Sequence, residues 1–172
     1  MTAGTLSRID LALRSVTPFL MTVALILLGA MPLSMPIDLP ITPAFGLMAV
    51  FYWSVYRPDL MPAVAVFALG LMQDLISGAL LGITAVIWLG TFGIVLNQRK
   101  IFLGKPFAMS WWGFSMVAVA AGAARWLISS ALAGHLLDAH RMTAELTATV
   151  LLFPLAVALF VATHRRILPK IA

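Results

Sequence analysis

In the stretch GLMQDLISGALLG, residues Gly70 to Gly82, one carboxylate stands between two apolar runs. That carboxylate is Asp74, and a charge in such surroundings is costly unless another charge, water or backbone donors compensate it. Arg125 is the matching cation, set inside the apolar run 107–133. Groups of this kind serve an ion pair, a proton relay or a helix-end anchor. Asp74 lies 14 residues after Leu60, roughly 21 Å along a helix rising about 1.5 Å per residue. Arg125 lies 18 residues after Phe107, or roughly 27 Å. Tilt brings these depths together, so Asp74 and Arg125 are expected to pair or to share a polar pocket. The alternative for Asp74 is an anchor on the unpaired amides that open the next helix, near Ala79. Both arrangements hold helices together and move neither protons nor substrate.

Other reactive chemistry has little to build on. The chain has no Gly-x-Ser-x-Gly elbow, His-Glu-x-x-His pair or phosphate loop. His135, His140 and His164 sit in or beside polar connections, without the convergent spacing of metal ligands. Asp138 and Glu145 share a polar segment and read as solvated carboxylates. Cysteine is absent, which removes disulfides, thiolate metal sites and a Cys nucleophile. No catalytic, metal or cofactor site is expected, and the chain is not expected to be an enzyme.

The elements that position Asp74 and Arg125 belong in lipid. Of the 172 residues, 62% are hydrophobic and 10% charged, against about 25% charged in ordinary soluble domains. The mean hydropathy is +1.05. The fold expected is all-α: one polytopic membrane domain, a compact bundle of six transmembrane helices of unequal length. The spans fall near 17–31, 41–56, 60–77, 79–96, 107–133 and 146–163. A straight crossing needs about 20 residues, so the short second and third spans imply tilt or local thinning. The run MPLSMPIDLPITP, with Pro32, Pro36, Pro40 and Pro43, interrupts any helix. YRPDLMP reads as a tight turn, NQRKIFLGKP as a polar loop, GHLLDAHRMTAE as a long polar connection, and SGALLG as barely a loop. Pro154 is expected to kink the last helix.

Charge sets orientation. Arg8, Arg14, Arg57, Arg99, Lys100, Lys105, Arg165, Arg166 and Lys170 fall on one side of a six-span arrangement, and Arg141 alone on the other. This bias places both termini in the cytoplasm. It also accounts for the net charge of +5 through loops facing anionic lipid. No basic patch with interleaved aromatics points to nucleic acid. Leu6, Ile9, Leu13 and Val16 share a helical face that Arg8 and Arg14 avoid, so residues 1–16 read as an amphipathic segment on the cytoplasmic membrane surface. The first apolar run reads as an uncleaved span rather than a secretory signal. Gly78 and Gly82 form a Gly-x-x-x-Gly pair, followed by Gly90 and Gly93; Gly122 with Ala118 and Ser129 forms a second small-residue strip. Such strips let helices approach closely in lipid. Tyr52, Trp53, Tyr56, Trp111 and Trp112 read as an interfacial aromatic belt.

In order along the chain stand Arg57-Pro58-Asp59-Leu60, then Gly70-Leu71, Asp74-Leu75, Ser77-Gly78 and Leu81-Gly82. This series resembles the bacterial rod shape-determining MreD family, as do the length and six-span pattern. Leu80 stands where family members often carry proline. The resemblance implies a non-enzymatic scaffold in the machinery that builds the lateral cell wall, in the inner membrane. It implies an MreC-like single-span periplasmic partner. It also links the chain, directly or indirectly, with an MreB-like filament, a RodA-like glycosyltransferase and the elongation-specific transpeptidase. Assembly is then expected to rest on Asp74, Arg125, Gly70, Ser77, Gly78 and Gly82, with Arg57, Pro58 and Asp59 as a cytoplasmic turn. The family also looks like the substrate-binding S-components of energy-coupling-factor importers, which makes a small-molecule binding subunit the alternative. A binding subunit needs a polar pocket, and beyond Asp74 and Arg125 the spans supply only a few Ser and Thr.

Overall fold

The computed structural model describes the backbone of residues 3–30 and 42–167, with side chains from Thr17 to Ala30 and from Thr42 to Thr163. Outside the described side chains lie the amphipathic face with Arg8 and Arg14, Pro32, Pro36, Pro40, His164 and the cations Arg165, Arg166 and Lys170. Among the described residues the structure is all-helical. Its elements are α1 (Ala3–Ala30), α2 (Phe45–Tyr56), a 3-10 turn (Pro58–Leu60), α3 (Ala63–Ser77), α4 (Ile83–Phe102), α5 (Phe107–Ala133) and α6 (Ala139–Ile167).

The centre is α2. Ten consecutive residues, Gly46 to Val55, are buried, as a helix that is apolar all round must be. It packs against each of the other five helices. Phe51 projects edge-on into Phe102, Phe114 and Phe153, with ring centroids 5.4–5.8 Å apart. Phe114 stacks on Phe153 at 3.9 Å, tying α5 to α6 across that ring. Tyr52 stacks on Phe160 at 5.0 Å. Tyr52 and Trp53 are thus core aromatics and not the interfacial belt expected of them. Tyr56 and Trp111 are partly exposed and Trp112 is strongly exposed. Close packing around α2 also explains Gly46, where a Cβ would collide with the Trp88 ring.

The outside is apolar. Val64, Leu75, Met116, Leu136, Leu151 and Leu155 are all strongly exposed. Two segments, Phe107–Ala133 and Ala139–Thr163, are long and apolar enough to cross a membrane by length and composition. Only 17% and 22% of their most apolar stretches are buried, the reverse of core helices in a water-soluble protein. Thr17–Ala30, Phe45–Tyr56 and Ala63–Ser77 are apolar but shorter. α4 ends in Arg99 and Lys100, cations that suit the negative end of a helix dipole.

Several boundaries differ from those the sequence suggests. α1 runs without a break through Pro18, so the amphipathic segment and the first apolar run are one helix. α4 starts at Ile83 rather than near Ala79, because residues 78–82 form a true turn with two left-handed glycines. α6 begins at Ala139, which turns most of the presumed polar connection into helix. It continues through Pro154 to Ile167.

Candidate functional site

The α3–α4 junction is built around Asp74. Its side chain is fully buried in the last turn of α3. The carboxylate accepts hydrogen bonds from the amide of Gly82 at 2.8 Å and from that of Thr84 at 3.2 and 3.3 Å. Gly82 is the N-cap of α4 and carries no side chain to cap it. Asp74 supplies the missing acceptor from the preceding helix, and its charge faces the positive end of the α4 dipole. The Asp74 carbonyl works in the other direction. It accepts from the amides of Gly78 and Ala79, ending α3. Ser77 Oγ donates to the Gln73 carbonyl at 2.8 Å. One residue therefore closes one helix with its backbone and opens the next with its side chain.

The glycines here serve the turn rather than a packing strip. Gly78 has φ +64° and Gly82 φ +98°, and a Cβ at either would meet nothing within 4 Å. Side chains rarely adopt such backbone angles, which is why glycine occupies both. The expected Gly-x-x-x-Gly helix contact at Gly78 and Gly82 is replaced by this geometry. Close approach occurs instead at Gly70, where a Cβ would overlap Ala85 Cα and lie 2.8 Å from its nitrogen. That contact lets α3 lie against α4 so that Asp74 reaches the amides.

Arg125 does not make the expected pair with Asp74. Its Nη1 lies 3.2 Å from Glu145 Oε1, with the two side chains 44% and 28% exposed. The pair sits at the rim of a cavity of about 500 Å³ between the start of α4, the end of α5 and the start of α6. Thr84, whose amide binds Asp74, also lines it. The wall is pinned. Trp126 Nε1 donates to the Leu137 carbonyl at 3.0 Å, and the Leu137 amide donates to Ser130 Oγ at 3.2 Å. Thr149 Oγ1 accepts from the Ala44 amide at 3.0 Å and donates to the Glu145 carbonyl at 2.7 Å, joining α6 to the chain just before α2. At Gly122 a Cβ would lie 2.7 Å from Leu146 Cδ2, so the small-residue strip on α5 does admit α6.

Just before α3, Arg57 caps the 3-10 turn that contains Pro58, Asp59 and Leu60. The Leu60 amide donates to the Arg57 carbonyl at 3.1 Å, and that of Met61 to the Pro58 carbonyl at 3.2 Å. Buried Met61 anchors the turn. Arg57 and Asp59 approach only to 3.9 Å, with Asp59 well exposed. Among the described residues no three His, Asp or Glu side chains converge on a metal-sized site.

Residues 10–162 match the protein family described as rod shape-determining protein MreD. The chain belongs to this family. No curated protein and no solved structure matches it. Membership makes the chain a membrane protein of cell-shape determination. The motif residues that resemble MreD now have positions: Arg57–Leu60 form the turn that precedes α3, and Asp74–Gly82 end α3 and cap α4. Sequence reasoning missed Thr84, Trp126 and the joint role of Asp138, Arg141 and Glu145 at the cavity. The Asp138 Oδ1 that accepts the His140 amide at 2.9 Å is a helix N-cap signal, and it marks the true start of α6.

Proposed function

We propose that this chain is a non-enzymatic scaffold subunit of the bacterial cell-elongation machinery, which synthesises the lateral wall. The observation that carries this reading is the MreD family match over residues 10–162. The helices form a six-span bundle in the inner membrane with both termini cytoplasmic, a topology supported by the cation bias. An MreC-like single-span protein docks on its lipid-facing surface, and the MreB-like filament, RodA-like glycosyltransferase and transpeptidase join directly or through it. Gly90 and Gly93 are exposed on α4 with nothing within 4 Å of an added Cβ. This open strip suits a close-packed partner helix.

Co-purification of an MreC-like protein with wild type, Gly90→Leu and Gly93→Leu tests the docking. Recovery falls with both variants while the isolated chain keeps its unfolding midpoint. Undiminished recovery with both removes α4 from the interface, and failure of wild type to recover the partner removes the scaffold reading. Reporter fusions at the C-terminus and within residues 136–143 test the topology, and an exported C-terminal reporter overturns it.

The cavity beside Arg125 supports a second reading, the small-molecule binding subunit of an importer. One metabolite per chain, retained through extensive washing and identified by mass spectrometry, would favour it over the scaffold.

A further inference from the structure

The rim of the 500 Å³ cavity has a charge pattern that its interior lacks. A space of this size falls within the roughly 300–1,000 Å³ typical of ligand pockets. Its walls are mostly apolar, with Leu47, Ile87, Trp88, Ala121 and Leu146, interrupted by the hydroxyls of Thr84, Ser129 and Thr149. Four charged side chains line it: Arg125, Asp138, Arg141 and Glu145. Arg125 and Glu145 neutralise each other at 3.2 Å. Asp138 commits Oδ1 to the His140 amide. Among the described residues, no carboxylate lies within ion-pair distance of Arg141 and no cation within that distance of Asp138. One cation and one anion are thus left over. They stand three residues apart, Asp138 at the cap of α6 and Arg141 in its first turn, and both are exposed.

We propose that this cavity binds a membrane phospholipid with a zwitterionic head that joins a phosphate to a primary ammonium. An acyl chain occupies the apolar interior, the phosphate meets Arg141, and the ammonium meets Asp138. The leftover charges choose the head group. A purely anionic head satisfies Arg141 but faces the Asp138 carboxylate. A quaternary ammonium has no N–H to donate to Asp138, and a charge-assisted hydrogen bond is the stronger contact. The mostly apolar walls favour a lipid over a water-soluble zwitterion. The inference goes beyond the scaffold reading and does not depend on it, since the lipid binds the isolated chain.

Delipidated protein is titrated in detergent and read by native mass spectrometry. The ligands are phosphatidylethanolamine, phosphatidylcholine and phosphatidylglycerol with identical chains, and the chainless glycerophosphoethanolamine. Phosphatidylethanolamine binds roughly tenfold more tightly than the other three, equivalent to about 1.4 kcal/mol. Asp138→Asn keeps the cap acceptor and removes the charge, so it abolishes the preference over phosphatidylcholine. Arg141→Gln weakens all three phospholipids. Both positions are exposed, and an unchanged unfolding midpoint confirms that each variant is folded. Equal binding of the three lipids overturns the proposal, as does a preference for phosphatidylglycerol or an unaltered preference in Asp138→Asn. Equally tight binding of glycerophosphoethanolamine replaces the lipid with a soluble zwitterion and also overturns it.

Discussion

Asp74 at the α3–α4 junction is fully buried and held by backbone amides, whereas Arg125 on α5 is half-exposed and held by one side chain, Glu145. The two charges lie in equally apolar sequence and reach opposite solutions. A buried carboxylate requires donors that cannot move away, and the amides at the head of α4 are fixed by the helix they begin. A charge near the surface tolerates a flexible partner, because water screens whatever the pair leaves unsatisfied. Burial, more than depth along a helix, decides which kind of partner a charge takes.

The sharpest way to break this contrast is Asp74→Ala. It strands the buried Thr84 amide and the part-buried Gly82 amide, and an unsatisfied buried donor costs about 1–3 kcal/mol. The unfolding midpoint in a fixed detergent and the cellular protein level should both drop clearly, with Asp74→Asn milder because its amide oxygen still accepts. A normal midpoint in Asp74→Ala would show that the bracket holds nothing.

Gly70→Ala tests the approach that brings the carboxylate to its donors. The overlap with Ala85 forces α3 from α4, at an overpacking cost of about 1–3 kcal/mol. In combination with Asp74→Ala, the Gly70→Ala loss should shrink, since the bracket it disturbs is already gone. Full additivity would separate the two features. Gly82→Ala should cost about 1–2 kcal/mol from its left-handed backbone alone, whereas a turn able to relax would show no change in midpoint.

The smallest effects belong to the other region. Arg125→Ala and Glu145→Ala should each cost about 0.2–1 kcal/mol, the range of exposed pairs, and less at high salt. Because Asp74 and Arg125 have no shared partner, their double variant should be additive to within about 0.5 kcal/mol. A coupling well above that would restore the direct pair that the structure replaces.

Much of the helical layout was legible in sequence, though unevenly. α5 runs from Phe107 to Ala133, the bounds its hydropathy suggests, because Pro106 and Gly134 punctuate it sharply. α6 was harder: its first two turns hold His140, Arg141, Thr143 and Glu145, and hydropathy alone reads a polar helix start as a loop. Only the capping chemistry of Asp138 separates the two. Tyr52 and Trp53 show a different limit, since a helix apolar on all sides looks the same whether it faces lipid or neighbouring helices. For Asp74, the amide anchor was one of two readable alternatives. Choosing between them needed the turn at Gly78 and Gly82, whose left-handed angles leave no trace in a small-residue pattern.

The bracket at Asp74 also bears on how the chain assembles. The carboxylate and its donors are separated by only eight to ten residues, so closing that loop carries a small entropic cost. Structures rich in such local contacts fold fast. A carboxylate left uncompensated in apolar surroundings is costly. If α3 and α4 close as a hairpin during synthesis, the charge is already satisfied before the other helices pack against the pair. The later helices then dock on a finished corner instead of rescuing a stranded ion.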